Sequence, residues 1–142
     1  MGYTHYWKHG NIPANVWAKI ANDATKLIVA SDVDLAFDYD EPTKLPQAND
    51  ANVRFNGVGD DGHETFLIHP ASTSFEFCKT ASKPYDKIVC AVLAVFKEHG
   101  GDIVEITSDG DEPDWQEGLD YAAKVLGRKV NLPVKKEVDA SY

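Results

Sequence analysis

The chain has 142 residues, 43% of them hydrophobic and 26% charged, with a formal net charge of −9. That length suits one domain with its own core, and the negative charge argues against non-specific binding to nucleic acid, whose phosphates need a positive counterface. The longest apolar run, Ile88 to Phe96, is far short of the ~20 residues that span a bilayer. Met1 to Trp7 also lack the basic and apolar regions of a secretion signal, so the expectation is a cytoplasmic protein with no membrane partner.

Tyr3 to Lys8 reads as a short strand, with Tyr3, His5 and Trp7 on one face and Thr4, Tyr6 and Lys8 on the other. Pro13 suits the first position of a helix whose buried stripe is Val16, Trp17, Ile20, Ala24, Leu27 and Ile28. Val33, Leu35 and Phe37 alternate with Asp34, Ala36 and Asp38, the pattern of a half-buried strand. Asp40 to Asn52 contains Pro42, Pro46, Asn49 and Asp50 without periodicity and reads as a loop. Val53 to Asn56 and Glu64 to Ile68 make a hairpin closed by Gly57 to Gly62, and Phe75 to Lys79 adds a further strand after the turn at Pro70 to Ser74.

Pro84 opens a second helix, in which Tyr85, Ile88, Val89, Val92, Leu93, Val95 and Phe96 cover more than one face. Gly100 and Gly101 stop it. Ile103 to Thr107 is a strand, and Asp114 with Glu117 reads as the capping box of a third helix that Gly127 closes. The expected order is β-α-β-β-β-β-α-β-α, an α+β domain over residues 1–127. About five or six mainly antiparallel strands would carry the three helices on one face and leave the other partly open. Residues 128–142 are expected to form an extended, basic C-terminal tail.

The densest polar stretch sets Arg54, Asn56, Asp60, Asp61, His63 and Glu64 around Gly57, Gly59 and Gly62. Strand alternation sends Val53 and Phe55 to the core and Arg54 and Asn56 to the opposite face. There Arg54 would grip a phosphate or carboxylate while Asn56 orients it. Asp60, Asp61 and His63 are candidate ligands for a divalent metal such as Mg²⁺ or Mn²⁺, although the spacing fails the calcium-loop pattern and turn formation also explains Gly and Asp here.

Lys79, Thr80, Ser82, Lys83 and Tyr85 join a strand to a helix start, where free N–H groups and the helix dipole favour an anion. The glycines of a phosphate loop are missing. His5, His63 and Glu64 are the candidate catalytic acids and bases. No nucleophile elbow, zincin helix or dinucleotide fingerprint is present. Cys78 and Cys90 read as buried, reduced thiols, with Lys79 placed to lower the pKa of Cys78.

Gly2-Tyr3-Thr4-His5-Tyr6-Trp7, the run from Arg54 to Phe66, Phe77-Cys78-Lys79-Thr80-Ala81 with Lys83-Pro84-Tyr85-Asp86, and Ser108-Asp109-Gly110 form a set. Together they resemble a family of small uncharacterised proteins of tailed bacteriophages and prophages. The resemblance runs from Gly2 to about Gly127, omitting the 39–51 loop and the basic tail. It implies an accessory role in the host cytoplasm, such as interference with host metabolism or defence, and brings no mechanism.

The leading expectation is a non-catalytic binder of a small anionic, nucleotide-like ligand or of a host protein, using Arg54, Asn56, Lys79, Thr80, Lys83 and Tyr85. The alternative is a small enzyme acting on a phosphate-bearing or nucleotide substrate, with Asp60, Asp61, His63 and Glu64 supplying metal ligation or acid–base groups. A third reading is an acidic interaction module or inhibitor. The two site readings share one structural expectation, that Arg54, His63, Lys79 and Tyr85 converge on a single pocket.

Overall fold

A computed structural model of the protein describes residues 3–134. The elements in order are β1 (Thr4–His9), α1 (Ala14–Val29), β2 (Leu35–Ala36), β3 (Gln47–Ala48), β4 (Val53–Gly57), β5 (Phe66–Ile68), β6 (Thr73–Lys79), α2 (Asp86–Gly100), β7 (Val104–Ser108) and α3 (Glu112–Leu126). The fold is α+β, with all its strand pairs antiparallel. One sheet has the order β6-β1-β7, and a second is built on β4, which pairs with β2, β3 and β5.

The helices follow the apolar periodicity. On α1, Trp17, Ile20, Ala24 and Leu27 are buried at helical spacing, and α2 is buried without interruption from Ile88 to Phe96. A helix buried on every side belongs at the centre of a domain, and α2 packs against both α1 and α3. Gly118 of α3 permits that contact, because a Cβ there would lie 2.6 Å from the Cβ of Cys90. Trp7 on β1 meets Phe66 on β5, with ring centroids 5.4 Å apart, and Phe66 meets Phe55 on β4 at 5.2 Å, so one aromatic row joins the two sheets.

Several expectations are corrected. The supposed loop at Asp40 to Asn52 contains β3, whose Gln47 and Ala48 pair with Arg54 and Val53. A strand of two residues has no period to read, and its partner strand imposes it. The strand expected at Val33 to Phe37 shrinks to Leu35–Ala36 with its parity reversed: Ala36 is fully buried, while Phe37 lies half-buried beneath the cations of Lys44 and Arg54, at 3.8 and 4.2 Å. An aromatic ring gains from facing a cation, and the small Ala36 fits the tighter core position.

The capping box of α3 lies one turn earlier than expected. Asp111 is the N-cap and Asp114 the reciprocating residue, its carboxylate accepting the Asp111 N–H at 2.8 Å. Pro113, which offers no N–H, falls in the first turn, where none is required. Residues 128–134, expected as tail, are docked: Val130 and Pro133 are buried, and Val134 bridges to Ile106. The remainder of that tail, including Lys135 and Lys136, lies outside the described residues. Among the described residues no helix is long and apolar enough to cross a membrane.

Candidate functional site

β1 is the central strand of its sheet, and its alternation turns His5 inward, between Cys78 on β6 and Ser108 on β7. His5 is wholly buried. The rings of Tyr3 and Trp115 meet it edge-on at 5.2 and 4.9 Å. A buried imidazole needs partners on both nitrogens, and both are present: Nδ1 lies 2.8 Å from Ser108 Oγ and Nε2 lies 2.7 Å from Asp86 Oδ1.

A carboxylate only accepts, so in the neutral ring Nε2 carries the proton and Nδ1 accepts the Ser108 hydroxyl. Ser108 Oγ in turn accepts the Gly110 N–H at 2.9 Å. Asp86 is the first residue of α2, where the helix dipole favours a carboxylate. Its Oδ1 also accepts the Thr80 hydroxyl at 2.6 Å. One turn along, Cys90 Sγ lies 3.6 Å from His5 Nε2 and 3.6 Å from Asp86 Oδ2. Residues four apart share a helix face, so Asp86 and Cys90 meet the same imidazole.

The loop from β6 to α2 is strained. Ala81 and Ser82 both adopt left-handed backbone, with φ of 52° and 56°, at a cost of about 1–3 kcal/mol each for residues with a Cβ. The loop is pinned by Thr80 and Ala81, whose N–H groups both donate to the Tyr3 carbonyl, at 3.0 and 3.1 Å. The outcome is a cleft of about 410 Å³ whose wall includes Tyr3, Ser82, Lys83, Asp86, Lys87 and Asp114. Lys87 is held by Asp32 at 2.7 Å. Among the described residues, no carboxylate pairs with Lys83.

Lys83 also borders a second cleft of about 440 Å³ with Tyr39, Asp60, His63 and Glu64. Of the residues expected to converge, His63 lines this cleft, while Arg54, Lys79 and Tyr85 do not. Arg54 pairs with Asp38 and covers Phe37. The hydrogen bond from Arg54 also holds the Asp38 carboxyl below its ordinary range. The Lys79 side chain is exposed, and its backbone N–H donates to the Glu64 carboxylate at 2.7 Å.

Tyr85 is fully buried, its hydroxyl donating to the Glu64 carbonyl, and burial pushes its pKa up. Thr80 is buried and committed to Asp86. Burial also pushes the Cys78 thiol up to about 12, the opposite of what a neighbouring Lys79 was expected to do, and burial raises Cys90 as well. The expected Asp60, Asp61 and His63 do not bring ligand atoms together: among the described residues the clusters are His5, Asp86 and Cys90, and Asp23, Glu98 and His99.

Asn56 was expected on an open polar face and is instead completely buried. Its amide donates to the His63 carbonyl at 3.0 Å and to Thr65 Oγ1 at 3.1 Å. Its carbonyl accepts the N–H groups of Gly57 at 2.8 Å and His63 at 3.1 Å. The cause is the short 3-10 turn at Gly59–Asp61, which folds back over the strand end. A Cβ at Gly57 would lie 2.3 Å from the Asp61 carbonyl oxygen, and one at Gly62 2.3 Å from the Gly57 oxygen, so both glycines are required by the closeness of the turn.

The donors expected to receive an anion at the start of α2 are also engaged. Tyr85 N–H donates to Asp61 O at 3.2 Å and Asp86 N–H to Lys83 O at 2.8 Å, and the Asp86 carboxylate occupies the first turn. Sequence reasoning singled out His5 and Lys83 but missed Asp86, Ser108 and Cys90. The spacing of Asp86 and Cys90, four apart on one helix, was a usable signal; the partnership of Ser108 with His5 depends on strand register. Comparisons of the chain with protein-family models, curated proteins and solved structures each returned no match.

Proposed function

We propose that the protein is a small enzyme acting on a phosphate-bearing substrate of nucleotide size at the His5–Asp86 centre, with Lys83 holding the substrate's negative charge. The observation that carries this reading is the buried imidazole of His5, bonded by Asp86 at 2.7 Å and Ser108 at 2.8 Å, behind a cleft into which Asp86 opens. A histidine oriented by a carboxylate is the usual arrangement of an acid–base centre. The cleft volume of about 410 Å³ falls within the range of small-molecule sites. Strain in the adjoining loop supports the same reading, since strained backbone clusters at working sites. The resemblance to phage proteins gives the context, an accessory enzyme inside an infected cell.

The test is a panel of nucleotides and phosphate esters assayed with and without divalent metal. Wild-type protein turns over at least one of them. His5→Ala and Asp86→Asn, shown by thermal melts to be folded, lose about 100-fold or more in kcat. Lys83→Ala raises KM with kcat little changed, the signature of lost ground-state binding. Equal activity in wild type and His5→Ala contradicts the reading.

A second reading, binding to a host protein, is favoured by the outer face of the β6-β1-β7 sheet. Phe75 and Phe77 there are 56% and 55% exposed, and Tyr6 stacks on Phe75 at 5.8 Å. Exposed aromatics in a contiguous patch are characteristic of contact surfaces. A partner captured from host lysate by wild-type protein, and equally by Phe75→Ser and Phe77→Ser variants, excludes that face.

A further inference from the structure

We infer that His5, Asp86 and Cys90 are the ligands of a zinc ion, which makes the proposed enzyme a zinc enzyme and gives His5 and Asp86 the role of metal ligands in place of an acid–base pair; the catalytic part of this inference rests on the reading of the cleft given above, and the metal site does not. An imidazole, a thiolate and a carboxylate form the mixed nitrogen, sulfur and oxygen set that zinc accepts, and harder cations such as Mg²⁺ do not take sulfur.

The distances fit. Around zinc, bond lengths of about 2.3 Å to sulfur and about 2.0 Å to nitrogen or oxygen at tetrahedral angles separate sulfur from either lighter ligand by roughly 3.5 Å. Cys90 Sγ already lies 3.6 Å from His5 Nε2 and 3.6 Å from Asp86 Oδ2. The 2.7 Å contact from Nε2 to Asp86 Oδ1 is the metal-free hydrogen bond. On metallation the Nε2 proton leaves and Oδ2 takes the metal, while Oδ1 keeps the Thr80 hydroxyl at 2.6 Å.

The supporting groups are in place as well. With Nε2 on the metal, Nδ1 carries the proton and donates to Ser108 Oγ at 2.8 Å, a contact that fixes both the tautomer and the ring orientation. Ser108 is itself held by the Gly110 N–H at 2.9 Å. Asp86 and Cys90 are carried by helix α2, which is buried from Ile88 to Phe96, and His5 by the central strand β1. Ligands on rigid elements hold a site more closely than ligands on loops.

Three protein ligands leave a fourth position, and one of the three, Asp86, lines the cleft that Lys83 and Asp114 also border. An open position distinguishes catalytic zinc from structural zinc. It also resolves the charge of that cleft, where Asp86, Asp114 and Glu117 would repel a phosphate that only Lys83 and the engaged Lys87 attract. Zinc bound there would acidify a water at the fourth position, so that it would attack phosphorus as hydroxide. The P–O bond to the leaving alcohol breaks and its oxygen takes up the released proton, so that ester plus water gives phosphate plus alcohol.

The experiment uses full-length protein purified without chelator, analysed for zinc, then stripped and titrated with Co²⁺. The expected results are an equimolar zinc content and an intense thiolate-to-cobalt charge-transfer band in the near ultraviolet. That band is lost in Cys90→Ser and kept in Cys78→Ser, and Ser108→Ala weakens metal binding by about 10-fold. Because the band is read on wild-type protein, failure of the Cys90 variant to fold does not prevent the test. No cobalt band in wild type, or a band that survives Cys90→Ser, overturns the zinc site. Turnover that persists in metal-free protein removes zinc and leaves the enzyme reading standing. A zinc site without turnover of any ester keeps the site and removes that reading.

Discussion

At the scale of single residues, Asn56 shows how far alternation can mislead. Its parity on the strand opposes Val53 and Phe55, which are both buried, and a period of two therefore points it outward. The Gly59–Asp61 turn then folds over it, and its hydrogen bonds go to Gly57 before that turn and to His63 and Thr65 after it. Removing a buried side chain that satisfies several backbone groups leaves those groups unpaired. Asn56→Ala is therefore expected to cost about 2–4 kcal/mol in chemical denaturation, and a loss below about 0.5 kcal/mol would count against this role. His5 was legible as a histidine on an aromatic strand. Its partners were not, because Ser108 and Asp86 are separated from it by most of the chain and join it only through strand register and helix packing.

At the scale of elements, the helices were legible because their apolar stripes repeat over many residues, whereas β2 and β3, two residues each, offered no pattern to count. The helices are tied together by a polar clasp that composition alone does not reveal. Asp23 on α1 accepts from His99 on α2 at 2.7 Å and from Arg128, just beyond α3, at 2.7 Å, and Arg128 also reaches Glu98 at 2.6 Å.

Burial pushes the Asp23 carboxyl up, but the hydrogen bonds from His99 and Arg128 outweigh it and hold the group below its ordinary value of 3.8. A carboxyl depressed in the folded state stabilises the protein fully above its unfolded pKa and loses that contribution as pH falls through the folded one. Asp23→Asn should therefore lower stability at neutral pH by about 1–3 kcal/mol. It should also make the fall in stability below about pH 4 shallower than in wild type. Parallel stability–pH curves for the two proteins would show that the clasp contributes nothing through ionisation.

At the scale of the molecule, the α+β class and the packing of helices against antiparallel sheet followed from the alternation of patterns along the chain. The end of α3 at Gly127 followed from the helix stop there, and the packing of the next residues could not be read from charge. That stretch opens on Arg128 and Lys129, yet Val130 and Pro133 are buried and Arg128 closes the clasp. Truncation after Gly127 is expected to lower stability by about 2–4 kcal/mol, from lost apolar burial and the two lost ion pairs of Arg128. An unchanged melting temperature would show that residues 128–134 add nothing to the core.

The whole arrangement converges on one imidazole, held between β6, β7 and α2 by groups that the fold alone brings together. The most direct measurement is therefore ¹⁵N-detected NMR of the His5 ring, recorded on stripped protein and again after adding zinc. The expected result is a proton on Nε2 in stripped protein, bonded to Asp86, and transfer of the protonated position to Nδ1 once zinc is bound. A His5 ring whose signals do not respond to zinc, or whose proton lies on Nδ1 before any is added, would contradict the assignment of His5 as the pivot of the site.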